Sequence, residues 1–245
     1  MRNLLLPISV GLLCSSFTII PAASENKPRD VYFSASYITV ATETTGPDAG
    51  TLLYYNTGLE QFGLSKEAFD YAWKGYQYLV EEKQITRSRY LTICDFSQSS
   101  RQKRLYIIDV ENQELVTNTY VAHGKNSGGE YATKFTNTPE SLQSSLGFYV
   151  TSGTYNGKHG LSLHLLGVDP GFNDKALLRT IVLHGAAYVD ASRARNGMYM
   201  GRSWGGPAVP QNESTGIINT IKKGTCLFIY HPTRNYLQTS KILNG

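Results

Sequence analysis

The chain reads as a mainly β domain with a helical element ahead of it. Three features predict this class. Short apolar runs with a period of two recur from residue 89 onward, separated by Gly-, Ser- and Asn-rich turns. Tyr (17) and Gly (23) are abundant while charged residues make up 17%, which suits strands and turns better than long solvated helices. Only one long segment, 64–83, carries a helical period. With 41% hydrophobic residues in a chain of 245, a sizeable core can be buried, and the length fits one large domain or one domain with a helical appendage.

Taken in order, residues 1–24 have one Arg, an apolar run from Leu4 to Leu13 and small residues at 22–24. This is the pattern of a secretory signal peptide, and the apolar run is too short to span a bilayer, which needs about 20 residues. Leu13 precedes Cys14 where a lipoprotein signal needs a small residue, so lipid attachment there is disfavoured. The expected product is exported, periplasmic or secreted, without stable membrane insertion. Its mature N-terminus is expected near Glu25. Residues 25–58 contain Pro28, Gly46, Pro47 and Gly50 and read as an extended arm with one short strand at 31–40.

In the helical segment, Phe69, Ala72, Trp73, Tyr76, Leu79 and Val80 fall on one face, Ser65 is the expected N-cap and Glu67 favours the positive helix end. Trp73 and Tyr76 are expected to pack in the core. Strands follow at 89–96, 104–110 and 115–122, then at 145–151, 158–166, 180–184 and 225–230, with a short helix at 212–222. The resulting partition is a signal peptide at 1–24, an arm and helix at 25–88, and a β domain at 89–245. Cys94 and Cys226 sit in strand-like runs; they could pair in an oxidising compartment, but the favoured reading is two buried thiols acting as small hydrophobes.

The formal charge of +4 is scattered, with no Lys/Arg run longer than two, so there is no nucleic-acid footprint. A mild positive charge tolerates an anionic polymer without implying one. No phosphate or dinucleotide loop is present, and no cofactor is expected. The histidines are His123, His159, His164, His184 and His231. The helical His-Glu-x-x-His motif and any Cys-x-x-Cys pair are absent, and His159 and His164 are expected to face opposite sides of a strand, so no metal site is predicted. A metal-dependent peptidase built from distant residues stays as a minor alternative.

His123-Gly124 and His184-Gly185 each close a strand-like run. A histidine at a strand exit suits a general base held by the sheet and reaching a cleft, and the competing reading is a hydrogen-bonded structural histidine. Seventeen residues after His184 comes Gly201-Arg202-Ser203-Trp204-Gly205-Gly206-Pro207-Ala208-Val209, a glycine-dense turn that lets backbone amides approach a ligand. Together with Leu183-His184-Gly185-Ala186, this stretch resembles the signature of the YkuD-type L,D-transpeptidases, L-H-G-A followed by G-R-S-x-G-C-P-A. The resemblance extends to residues 135–139, 144–147 and 228–232 and covers roughly 89–232.

The resemblance implies a mainly β L,D-transpeptidase catalytic domain acting on peptidoglycan stem peptides. In that family a cysteine attacks the carbonyl of the diamino acid at position three of the stem and expels D-alanine. An amine or water then takes the acyl group, giving 3–3 cross-links or L,D-carboxypeptidase trimming. His184 would be the base. The amides of Gly205, Gly206 and their neighbours, with Gly185 close by, would hold the oxyanion. Arg202 would position the turn or a substrate carboxylate, and Ser203 would orient the histidine or the stem. Tyr188, Tyr199 and Trp204 would stack on ligand or pack around the loop. A side chain at 206 would point toward the imidazole.

This chain departs from the pattern at the nucleophile, where the family's Cys is replaced by Gly206. Glycine offers no atom for covalent catalysis. Three readings follow: a pseudoenzyme that still binds stem peptide, an inactivated variant of an active enzyme, or a substitute nucleophile. Ser203 lies three residues away, and even ~1 Å of misplacement costs about 100-fold, which disfavours it. Neither Cys94 nor Cys226 neighbours a matching motif. The first functional expectation is therefore an L,D-transpeptidase inactive as written. The second is a non-catalytic stem-peptide-binding or regulatory protein on the same scaffold.

Overall fold

A computed structural model describes residues 47–245. The signal-peptide segment, Cys14 and the strand expected at 31–40 lie outside the described residues.

Helix α1 (Ala49–Asn56) begins at Asp48, whose carboxylate accepts from Thr51 N at 3.0 Å. It occupies part of the stretch expected to be extended; its Leu53 and Tyr54 are buried, and that burial stabilises a turn composition that propensity alone does not favour. A 3₁₀ turn (Leu59–Phe62) leads to α2 (Lys66–Glu81). Ser65 caps α2 as expected, its Oγ accepting from Ala68 N at 3.1 Å. Ala68, Phe69, Ala72, Tyr76 and Leu79 form the buried stripe. Trp73 is only half-buried, stacked between Phe69 and Tyr76, and Val80 is exposed. At 100° per residue both fall on one margin of the stripe, so the expectation of a core Trp73 is corrected to a rim position.

Eight strands follow: β1 (Tyr90–Asp95), β2 (Leu105–Asp109), β3 (Glu114–Thr119), β4 (Gly147–Gly157), β5 (Gly160–Gly167), β6 (Val182–Ala186), β7 (Ala208–Pro210) and β8 (Cys226–Tyr230). They form one sheet in the order β3-β2-β1-β8-β4-β5-β6-β7. The β1–β8 and β6–β7 pairs are parallel and the others antiparallel. The third strand ends at Thr119, short of the expected 122. Its continuation crosses to the other edge, where Ala122 bridges Ala208 and Gly124 bridges Ser203. The sheet is thereby nearly closed on itself, and the crossing lands beside the Gly201–Val209 stretch.

Strand β4 runs past the expected end at 151, because its ladder with β5 carries the turn-like residues 152–157 onward through an irregularity between Thr151 and Thr154. Lys158 and His159 then form the tight connection to β5, not its first residues. Helix α3 (Ala191–Arg195), β7, α5 (Arg234–Thr239) and α6 (Lys241–Asn244) were not expected, whereas α4 (Ser214–Ile221) matches the short helix read at 212–222.

One core joins α1, α2 and both faces of the sheet around Phe69, Tyr106, Phe148 and Phe228. A smaller one gathers Ala122, Ala186, Val189, Met200 and Ala208. Cys94 and Cys226 are free and buried, and the β1–β8 register sets Cys226 opposite Leu91, not Cys94. Burial pushes the Cys94 thiol up to about 12, as expected for an inert thiol. Among the described residues, no helix is long and apolar enough to cross a membrane.

Candidate functional site

His184 lies in the middle of β6, opposite Ser162 on β5 and Ala208 on β7. Its backbone N–H donates to Pro207 O at 3.3 Å, which ties it to the glycine-dense stretch. The side chain is 8% exposed. Its Nδ1 lies 3.4 Å from Val182 O, a geometry that fits an Nδ1–H tautomer with Nε2 free as an acceptor. Burial lowers its pKa below the usual imidazole value; the Val182 bond partly offsets this, and the neighbouring His159 adds to the lowering. The neutral ring that results at pH 7 is the form a general base requires.

His159 stands over this ring, with centroids 4.8 Å apart at 38°. In the sequence His159 belongs to no motif. Its partnership with His184 arises because the β4–β5 turn folds back over β6, and a turn of the type Asn-Gly-Lys-His is the sole sequence signal for it. His164, on β5, stacks instead on Tyr155. Among the described residues no three His, Cys, Asp or Glu side chains converge as a ligand set.

Gly206 is buried directly beside Val182, the residue two before His184 on the adjacent strand. A Cβ built there would overlap the Val182 carbonyl oxygen and lie 3.0 Å from Val182 N and 3.2 Å from Val182 C. A side chain at 206 would therefore begin against the β6 backbone, at the Val182 carbonyl that also lies 3.4 Å from His184 Nδ1. The two strands have closed to a separation that only glycine admits. Gly205 is similarly constrained, at φ +122° and with a Cβ position 2.8 Å from Gln143 O.

Ser203 is 2% exposed and makes no hydrogen bond to His184. Its Oγ accepts from Gly205 N at 3.2 Å, its N–H donates to His123 O at 3.2 Å and its carbonyl accepts from Lys125 N at 2.8 Å. It organises the loop. The Gly205 amide is engaged in this way, whereas the N–H groups of Trp204 and Gly206 have no hydrogen-bond partner among the described residues. Ser144 ties the same loop from the other side, its Oγ donating to Gly205 O at 2.9 Å and accepting from Gly124 N at 3.0 Å.

Trp204 projects outward, 76% exposed, and does not pack around the loop. Tyr188 does pack, against the smaller core, and burial pushes its phenol up to about 12 although the Arg202 charge pulls the other way. The exposed Arg202 guanidinium lies over the Tyr188 ring at 5.7 Å. Gly185 faces α4, where a Cβ would stand 2.6 Å from Ser214 Oγ.

The second His-Gly motif proves structural. His123 is fully buried, Arg104 Nη2 donates to its Nδ1 at 2.8 Å, and its Nε2 lies 3.3 Å from Gly128 O. Burial, then the Arg104 charge, lowers its pKa to about 4.

Several solved structures show a distant similarity to this chain. An L,D-transpeptidase from Mycobacterium smegmatis is 10% identical over 58% of this chain and 59% of that one, with a TM-score of 0.38. The helical cell shape determining protein Pgp2 from Campylobacter jejuni is 13% identical over 64% of this chain and 56% of that one, with a TM-score of 0.39. An L,D-transpeptidase from Xylanimonas cellulosilytica is 13% identical over 73% of this chain and 92% of that one, with a TM-score of 0.33. The chain thus spans about three fifths of the length of the first two. No curated protein matches. A model of the L,D-transpeptidase catalytic domain matches residues 60–230, which covers the 3₁₀ turn, α2, the whole sheet and the His184 and Gly206 motifs, and the chain belongs to that family.

Proposed function

We propose that this protein binds peptidoglycan stem peptides at the His184 site and performs no acyl transfer. One observation carries the reading: position 206 has neither a nucleophilic atom nor room for one beside Val182. What remains favours recognition. His184 is neutral and under a second imidazole, Gly206 and Trp204 offer backbone amides, and Arg202 presents a guanidinium suited to a carboxylate. Arg202 touches the stem's carboxylate, Trp204 lies along the ligand, and Gly205 and Ser203 hold the loop in shape.

In this reading residues 1–24 direct export, 25–88 form the arm and helix, and 89–245 carry the stem-binding domain, so the protein works in the periplasm or outside the cell. The test is mass spectrometry and calorimetry on the purified protein with a disaccharide tetrapeptide and, separately, a carbapenem. Binding of the tetrapeptide without an acyl adduct and without D-alanine release is expected. A stable adduct, or D-alanine released at an enzymatic rate, would refute the inactive reading and send the search to Ser203 first.

A further inference from the structure

A groove of about 920 Å³ opens between the 3₁₀ turn, the loop 97–103 and the end of β3. Its size is within the range of small-ligand sites, about 300–1,000 Å³. Its floor is fixed from within. Gln98 Nε2 lies within hydrogen-bond distance of Gly63 O at 3.1 Å, Asp95 Oδ2 at 2.8 Å and Tyr106 Oη at 3.0 Å, and Asn118 Nδ2 donates to Lys103 O at 3.1 Å.

Its rim is the opposite. The amides of Gln61 and Gln102 and the hydroxyls of Tyr120 and Tyr131 line the groove and have no hydrogen-bond partner among the described residues. Beside them stand the rings of Phe62, 48% exposed, and Tyr131, 51% exposed.

From this pairing of open aromatic faces with free amides and phenols on a rigid floor, we infer that the groove binds an oligosaccharide. A pyranose ring has an apolar face that stacks on an aromatic ring and a rim of hydroxyl and amide groups that both donate and accept, which is what neutral amides and phenols match. Lys103 is the sole charged side chain of the lining. A phosphate-rich ligand calls for clustered cations, and a purely apolar ligand would leave the amides unpaired.

The position agrees with the chemistry. Tyr120 lies on the groove and Gly124 bridges Ser203 in the site loop, so four residues, no more than about 14 Å of chain, separate the two. On the stem-peptide reading above, on which this step rests, a sugar strand lying in the groove would bring its attached peptide to the Ser203 loop.

The experiment titrates the purified full chain with two separate probes, the tetramer of N-acetylglucosamine and a sugar-free tetrapeptide stem. Tyr131 and Gln102 are exposed, so Tyr131→Ala and Gln102→Ala leave the fold intact, which unchanged melting curves check. Tetramer binding weakened about fivefold or more by each variant, with tetrapeptide affinity unchanged, is the expected result. If the tetramer fails to bind, or binds equally to both variants, the groove proposal is overturned. If the tetramer behaves as expected while the tetrapeptide binds nowhere, the groove stands and the stem-peptide reading falls.

Discussion

Replacing Gly206 with Cys restores the sulfur that the family's pattern carries, yet the structure predicts that the substitution costs stability before it can gain chemistry. The added Cβ would overlap Val182 O, with Val182 N at 3.0 Å and Val182 C at 3.2 Å. These atoms are backbone, so relief requires β7 to move away from β6 by roughly 1 Å, well inside the range where overpacking costs about 1–3 kcal/mol. That movement also loosens the His184 N–H to Pro207 O bond, already 3.3 Å long, and the pairing of His184 with Ala208. One weakened ladder bond adds about 1 kcal/mol. A loss near 3 kcal/mol lowers Tm by about 6–12 °C in a domain of this size. The assay is thermal denaturation of Gly206→Cys beside Gly206→Ala, followed by thiol titration and D-alanine release. The two variants should fall together, since the clash begins at Cβ, and the thiol should label slowly. A Gly206→Cys protein as stable as its parent that also forms an acyl adduct would refute the reasoning, and would mean that the site merely lacks a sulfur.

Three further outcomes follow from the same structure. His123 has its pKa depressed to about 4 by burial and by Arg104, so its contribution is complete above the unfolded value near 6.5 and drains away as pH falls toward 4. Unfolding free energies from denaturant curves at pH 7 and 4.5 should differ by an amount on the order of 3 kcal/mol, and His123→Phe should flatten that slope. Arg179→Met should lower Tm by about 4–8 °C, for a loss of roughly 2 kcal/mol, and raise amide exchange across 136–145; unchanged exchange there would deny the residue its anchoring role. Protein recovered from an expressing cell's envelope should begin near Glu25, which N-terminal mass analysis reads directly, and a cytosolic product retaining Met1 would overturn the export reading.

How far the sequence led depended on where each contact originates. Strands β1, β2 and β8 were legible because their residues alternate or run continuously apolar over a buried ladder, and that pattern is local. The second half of β4 was not, since Ser152-Gly153-Thr154-Tyr155-Asn156-Gly157 has turn chemistry and becomes a strand only because β5 pairs with it. Strand β7 hid inside the motif that drew attention for another reason: Pro207-Ala208-Val209-Pro210 reads as a loop until β6 is beside it. Helix α1 was masked by Pro47 just before its cap and by Gly50 inside it; the propensity cost of Gly50 is outweighed by burying Leu53 and Tyr54.

At the site the motif pointed to His184 and to the missing nucleophile, but the residues that hold the loops were beyond its reach. Arg104 is fully buried, stacked at 4.7 Å on Phe96, and donates to Val121 O at 3.1 and 3.0 Å, to Gln98 O at 2.8 Å and to His123. Arg179 donates to Thr136 O at 2.7 Å, Gln143 O at 2.6 Å, Ser141 Oγ at 3.1 Å and Ser145 Oγ. Neither has a carboxylate within salt-bridge distance among the described residues. Each guanidinium therefore spends part of its fork of donors on main-chain carbonyls, which carry no residue identity and leave no trace in a sequence pattern. Arg104 fixes the segment that crosses from the groove to Ser203, and Arg179 fixes the loop whose Gln143 carbonyl presses on Gly205. Because charge-assisted bonds from the buried Arg104 and the half-buried Arg179 set these loops, they keep their shape without help from position 206. A glycine there can remove the covalent step while leaving the recognition surface assembled.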